Sequence, residues 1–282
     1  MTSNQRLQQL KKKAYIPEHL PEYLVPYSEA DPAIDNDLVY YSLPGQLNII
    51  AYPLEEEGSG KDLGAHVTEL ASRIKPRTLK IISPVELTID GYKTTIFEKD
   101  FYSCLELKKI RDNAKLRNML KRAAQDVRVE TAESFSREHL ELLSEFIRKK
   151  GFAKEKSVFF HRLPDYLAEQ SQALMVEARH KKNNALAGFD VFEPGYGDYS
   201  FYLFNITSLD SDRVPGINDL LMNHALNLLK SMNKKYLNTG LCINPGIESF
   251  KAKWGAVRFL PYHFQTCKPS FDWKKIFRRS RT

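Results

Sequence analysis

Residues 201–262, FYLFNITSLDSDRVPGINDLLMNHALNLLKSMNKKYLNTGLCINPGIESFKAKWGAVRFLPY, decide how the chain is read. The stretch opens on aromatic and β-branched residues of strand type, turns at Gly216 and enters a long amphipathic helix. There Ile217, Leu220, Leu221, His224, Ala225, Leu228, Leu229 and Met232 recur at intervals of three and four, a single apolar stripe. Residues 235–242 then read as a strand, 246–253 as a short helix and 258–265 as a closing strand. Unpaired N–H groups and the dipole at a helix start attract anions, and glycine lets a ligand come close to the backbone. The order of elements predicts a place for a phosphate-bearing ligand.

Upstream, residues 173–180, 185–192 and 199–206 are expected to pair as antiparallel strands, the first two joined by a turn at Lys181–Asn184. Ser136 offers an N-cap to a helix over 137–150 that Gly151 ends, and Pro164 suits the start of a short helix over 165–172. Residues 108–128 read as a basic helix. In the first half, strand-like runs flank Pro44-Gly45, residues 63–74 have helical spacing, and strands are expected at 78–82, 85–89, 93–97 and 102–107. Two halves follow, 1–130 and 131–282, each mixing hairpins with helices.

Bulk properties narrow the class. At 282 residues and 42% hydrophobic content the chain can bury a full core. It has no apolar run of the roughly 18 residues that cross a bilayer, and no secretory signal, so a cytoplasmic protein is expected. Cys104, Cys242 and Cys267 suggest reduced thiols, and the histidines lack metal-ligand spacing, so no metal is expected. The absence of a Gly-x-Ser-x-Gly elbow and of a P-loop argues against a serine hydrolase and a P-loop NTPase. The net charge of +7 concentrates in 108–128 and in a basic, aromatic C-terminus. Such regions suit a nucleic-acid backbone such as tRNA or peripheral contact with an anionic membrane; solvated faces are the alternative.

From about residue 132 to 265 the chain resembles the GNAT superfamily of N-acyltransferases. In that family a strand leads into a turn of the form Arg/Gln-x-x-Gly-x-Gly/Ala, whose amides hold the pyrophosphate of coenzyme A. Arg213 and Gly216 match, with Ile217 and Asn218 following, while Asp219 is an acidic departure at the helix start. In the family's later signature Asn244 begins the turn, and Lys251 falls where a tyrosine often protonates the departing thiolate. The resemblance is closer to GNAT-like aminoacyl transferases, the C-terminal domain of lysyl-phosphatidylglycerol synthases and the Fem-type enzymes that build peptidoglycan bridges. It rests on the basic helix, on Pro215–Leu221 and on Tyr236–Leu241. It implies an α+β fold, a mixed, mostly antiparallel sheet flanked by helices, with two GNAT-like halves in tandem.

What the resemblance implies chemically is attack by an amine on an activated acyl carbon. Oxyanion donors would be the backbone amides of Asn205, Ile206 and Thr207, beside a splayed strand pair. Glu177 and Asp190 are candidate bases and Lys251 a candidate acid. Asn205 and Asn244 would line the cleft. The expected function is acyl transfer from acyl-CoA to a small-molecule or lipid amine; the alternatives are an aminoacyl-tRNA donor, or a non-catalytic binding protein on the same scaffold.

Overall fold

The computed structural model describes residues 9–28, 30–54, 62–169, 172–210 and 214–270, the side chains of 26–28 and 154–156 not among them. In chain order the elements are α1 (Pro21–Ser28), β1 (Asp31–Asp35), β2 (Leu38–Leu43), β3 (Gln46–Ile50), α2 (Leu63–Ile74), β4 (Thr78–Ser83) and β5 (Tyr92–Glu106). Next come α3 (Ala114–Asp126), β6 (Val127–Thr131), α4 (Arg137–Lys150), α5 (Lys154–His161), α6 (Leu163–Glu169), β7 (Leu174–His180) and β8 (Leu186–Glu193). The chain continues with β9 (Tyr199–Thr207), α7 (Ile217–Ser231), β10 (Tyr236–Leu241), α8 (Pro245–Trp254) and β11 (Val257–Pro269).

Internal contacts define two units that the sequence break at residue 130 does not follow. One holds Ala30–Phe101 and the described residues from Leu260 onward; the other holds Tyr102–Phe259 with the described residues before Ala30. The long strands β5 and β11 each contribute to both.

In the first unit the strand order is β1-β2-β3-β4-β11-β5. All described pairings are antiparallel except β3 with β4, which α2 connects. Val67, Leu70 and Ala71 of α2 lie on Leu38, Leu47, Ile49, Leu79 and Ile81, as the helical spacing predicts. The strand expected at 85–89 is absent. A buried glutamine takes over its backbone pairing: Leu87 N donates to Gln265 Oε1 at 2.8 Å and Gln265 Nε2 donates to Leu87 O at 2.9 Å.

In the second unit the order is β5-β10-β9-β8-β7-β6, and only β9 with β10 is parallel. The apolar stripe of α7 packs with Leu116 and Ala123 of α3 and Trp254 of α8 on sheet residues Val176, Phe192 and Leu237. A separate cluster joins Leu142, Leu143 and Phe146 of α4 to Phe189, Val191 and Ile206, residues of opposite parity on the strands. The basic helix is shorter than 108–128, because Leu107–Lys109 forms a 3-10 turn and Asn113 caps α3 through Leu116 N.

Candidate active site

The site is built on a fork. β9 and β10 pair at Tyr199↔Tyr236, Ser200↔Leu237 and Phe201↔Asn238, after which β9 continues to Thr207 without β10. The first unit supplies an internal reference for this crossover. There β3 and β4, likewise parallel and joined by a helix, pair at five successive positions from Gln46↔Thr78 to Ile50↔Ile82. One crossover is zipped and the other is open.

Named side chains hold it open. Asn238 Oδ1 accepts from Gly240 N at 2.9 Å and Gly240 adopts φ +74°, a conformation glycine takes without strain. The β10–β5 register shifts between Asn238 and Leu241, swinging the end of β10 toward β5. Lys251, 6% exposed, reaches from α8 and donates to Gly240 O at 2.9 Å and Leu241 O at 2.7 Å. Buried carbonyls need partners, and here an ammonium replaces a neighbouring strand. Across the fork, a register shift around Leu203 pairs Phe204 with Val191 but Tyr202 with Phe192. Ser208 N donates to Ala187 O of β8. Alternation turns the Ile206 amide to β8 as well and leaves those of Asn205 and Thr207 facing the open side.

Behind β9 lies a polar network. Asp190, fully buried, accepts from Asn205 Nδ2 at 2.6 Å and Tyr202 Oη at 3.0 Å. Asn205 Nδ2 also reaches Asn218 Oδ1 in the first turn of α7 at 3.4 Å. Burial raises the Asp190 carboxyl to about 7, and its two donors offset only part of that shift. Burial and the charge of Asp190 raise the Tyr202 phenol in turn. The structure thus brings Asp190, Asn205 and Asn218 together, and adds Tyr202. A strand tyrosine gave no sequence signal distinguishing it from core.

The start of α7 is closely packed. Gly216 has φ +86°, and a Cβ there would lie 3.2 Å from the Met119 carbonyl oxygen of α3. Asp219, 2% exposed, accepts from Trp254 Nε1 at 3.2 Å and pairs with Lys253 Nζ at 2.5 Å. A carboxylate in the first turn already complements the helix dipole. Ile217 is core, and Arg213 lies outside the described residues.

Other nominated residues sit elsewhere. Glu177 is on the α4 face of the sheet, opposite Asp190, since Val176 is the partner of Asp190 in the β7–β8 register. It accepts from Arg179 Nε at 2.6 Å and faces His139 Nε2 at 2.9 Å. His139 in turn closes a capping box with Ser136, and burial lowers its pKa. Asn244 caps α8 by accepting from Ile247 N at 3.0 Å. The sequence reading also passed over residues 9–28, a strap stitched to the fork where Asn238 Nδ2 donates to Tyr15 O at 2.8 Å. Among the described residues no His/Cys/Asp/Glu group suits a metal ion, and no helix is long and apolar enough to cross a membrane.

No family model matches the chain, and no curated protein matches it by sequence. Solved structures do. The chain is similar to the C-terminal domain (DUF2156) of a putative lysylphosphatidylglycerol synthetase from Agrobacterium fabrum, with TM-score 0.64, 15% identity, and 93% of this chain and 90% of that one covered. It is similar to FemX at TM-score 0.62 and 13% identity, covering 93% and 96%. A tandem GNAT protein from the clavulanic acid biosynthesis pathway follows at TM-score 0.54 and 13% identity, with 96% of each chain covered. At these identities the likeness is one of fold: a tandem GNAT-like architecture with a mixed, mostly antiparallel sheet flanked by helices.

Proposed function

We propose that the chain is an acyl transferase that works at the fork, and that its donor is an aminoacyl-tRNA rather than acyl-CoA. The observation that carries the donor is how the start of α7 is used. An acyl-CoA reading wants that turn free for a pyrophosphate, yet α3 packs on Gly216 and the Asp219 carboxylate sits within the first turn. Meanwhile α3 turns Lys115, Lys121 and Arg122 to solvent. Beside it a groove of about 290 Å³ is lined by Arg128, Lys181, Asn223, His224 and Asn227, with no carboxylate in the lining. Distributed cations of this kind suit a polyanionic carrier.

In this reading the amides of Asn205 and Thr207 receive the oxyanion of the attacked ester. Asp190, Tyr202 and Asn205 hold β9 in place, and Lys251 holds the other arm. The acceptor is an amine, lipid-borne or peptide-borne as in the enzymes the chain resembles, and the reaction belongs in the cytoplasm, where charged tRNA is found. From residue 271 onward the basic C-terminal stretch suggested for membrane contact lies outside the described residues.

Binding of a mixed pool of charged tRNA, measured by filter retention between 50 and 200 mM salt, tests the donor. Affinity should fall steeply with salt, and the triple reversal Lys115→Glu, Lys121→Glu, Arg122→Glu should weaken it about tenfold or more. Salt-independent binding, or a melting-temperature rise with millimolar coenzyme A and none with charged tRNA, would return the donor to acyl-CoA.

A further inference from the structure

The strap before Ala30 does more than cover the sheet. Ala14 and Leu20 pack on Phe201, the last β9 residue paired with β10. Lys12 O lies 1.9 Å from where a Cβ on Gly197 would be, so only glycine admits the strap at the β8–β9 turn. Lys11 pairs with Glu22, which also accepts from Tyr196 Oη at 3.0 Å. Thus fixed at both ends, the strap crosses the fork at Tyr15 and makes a 3-10 turn, Pro17–His19.

Glu18 is carried on that turn. Its carboxyl faces the phenol of Tyr102 of β5, and Tyr102 is the register partner of Leu241, on the arm of β10 that swings away from β9. The residue keeps some exposed surface while its carboxyl is recessed. We infer that Glu18 is the proton acceptor for acyl transfer at the fork, presented from the face of the sheet opposite α7 and Asp190. The inference rests on the transferase reading but not on the identity of the carrier.

The step balances. The lone pair of the acceptor nitrogen forms the new N–C bond at the acyl carbon, and the acyl bond to the carrier breaks, C–O for an aminoacyl ester and C–S for a thioester. That electron pair leaves on the carrier oxygen or sulfur. The nitrogen gives up one proton to the Glu18 carboxylate, which passes it to the departing atom, so Glu18 ends as it began. The chemistry suits a carboxyl that burial has raised to about 7, a shift its own backbone N–H and Tyr102 only partly counter. The titratable groups against it are Tyr102 of β5 and Tyr23 of α1, whose phenol is raised by burial and by the Glu18 charge. The strap's other charges are Lys11 and Glu22, which pair together, Lys12 and Lys13, which are exposed, and His19, whose Nδ1 faces Tyr15 N at 3.5 Å.

Two measurements on the full chain test it. The first follows transfer from charged tRNA to glycinamide across pH 5.5–8.5. The rate should rise through about pH 7, and Glu18→Gln should lose roughly 100-fold together with that limb while binding charged tRNA within about twofold of the native chain. Turnover within about threefold and an unaltered profile would overturn the inference. The second needs no donor: a water-soluble carbodiimide with glycine ethyl ester at pH 6 should modify Glu18, seen by peptide mapping. An unmodified Glu18 is unreachable from solvent and cannot take the proton, whatever the carrier. Failure to bind charged tRNA with Glu18 still modified would sink the donor reading alone.

Discussion

At the scale of single residues, Asp190 shows how burial couples chemistry to stability. Its carboxyl titrates near 3.8 when exposed and at about 7 in the fold. Below the lower value both states hold the proton and nothing is lost. As pH rises the unfolded chain releases its proton first, so stability falls until the folded carboxyl also ionises. At about 1.4 kcal/mol per unit, the loss is on the order of 4 kcal/mol. Asp190→Asn removes the titration, although its NH2 replaces one of the two oxygens that Asn205 and Tyr202 now donate to separately. Chemical unfolding from pH 4 to 8 should therefore show a flatter profile for the variant; parallel profiles would mean that Asp190 does not titrate in this window. The identity of this aspartate was legible in the sequence, on a strand beside a nominated cleft. Its separation from Glu177 was not, because one register position decides which face each carboxylate occupies, and register is set by pairing partners far away in the chain.

At the scale of elements, the helices were the legible part. The three-and-four spacing of α2, α4 and α7, the Ser136 N-cap and the αL glycine at 151 are local devices, written in adjacent residues. The three antiparallel strands β7, β8 and β9 were readable for the same reason. The fork was expected only through the family resemblance, since the length over which parallel strands pair leaves no alternation pattern to read, and Gln265 could not be foreseen as the substitute for a strand at 85–89. Gly216 was read as a ligand cradle, and the structure adds a packing demand to it. A methyl group there meets the Met119 carbonyl and must also tolerate positive φ. Gly216→Ala should cost about 2 kcal/mol or more from the backbone and the crowding together. A denaturation midpoint within error of the native chain would show that α3 yields freely.

At the scale of the whole molecule, two units carry the same crossover in different states, and the open one carries the residues argued to do chemistry. The strap belongs to that open unit although the chain reaches it first. Gly197→Ala should displace the strap without unfolding the sheet. Amide exchange over residues 9–28 should then speed up while β7–β9 stay protected, and uniform loss of protection would show the strap to be part of the cooperative core. The bond from Asn238 to Tyr15 spans 223 residues. Residues 9–28 are synthesised before the Gly195–Gly197 turn and β10 on which they are seated. Vectorial synthesis therefore leaves Glu18, the carboxyl proposed to accept the proton, without its seat until those later segments have emerged.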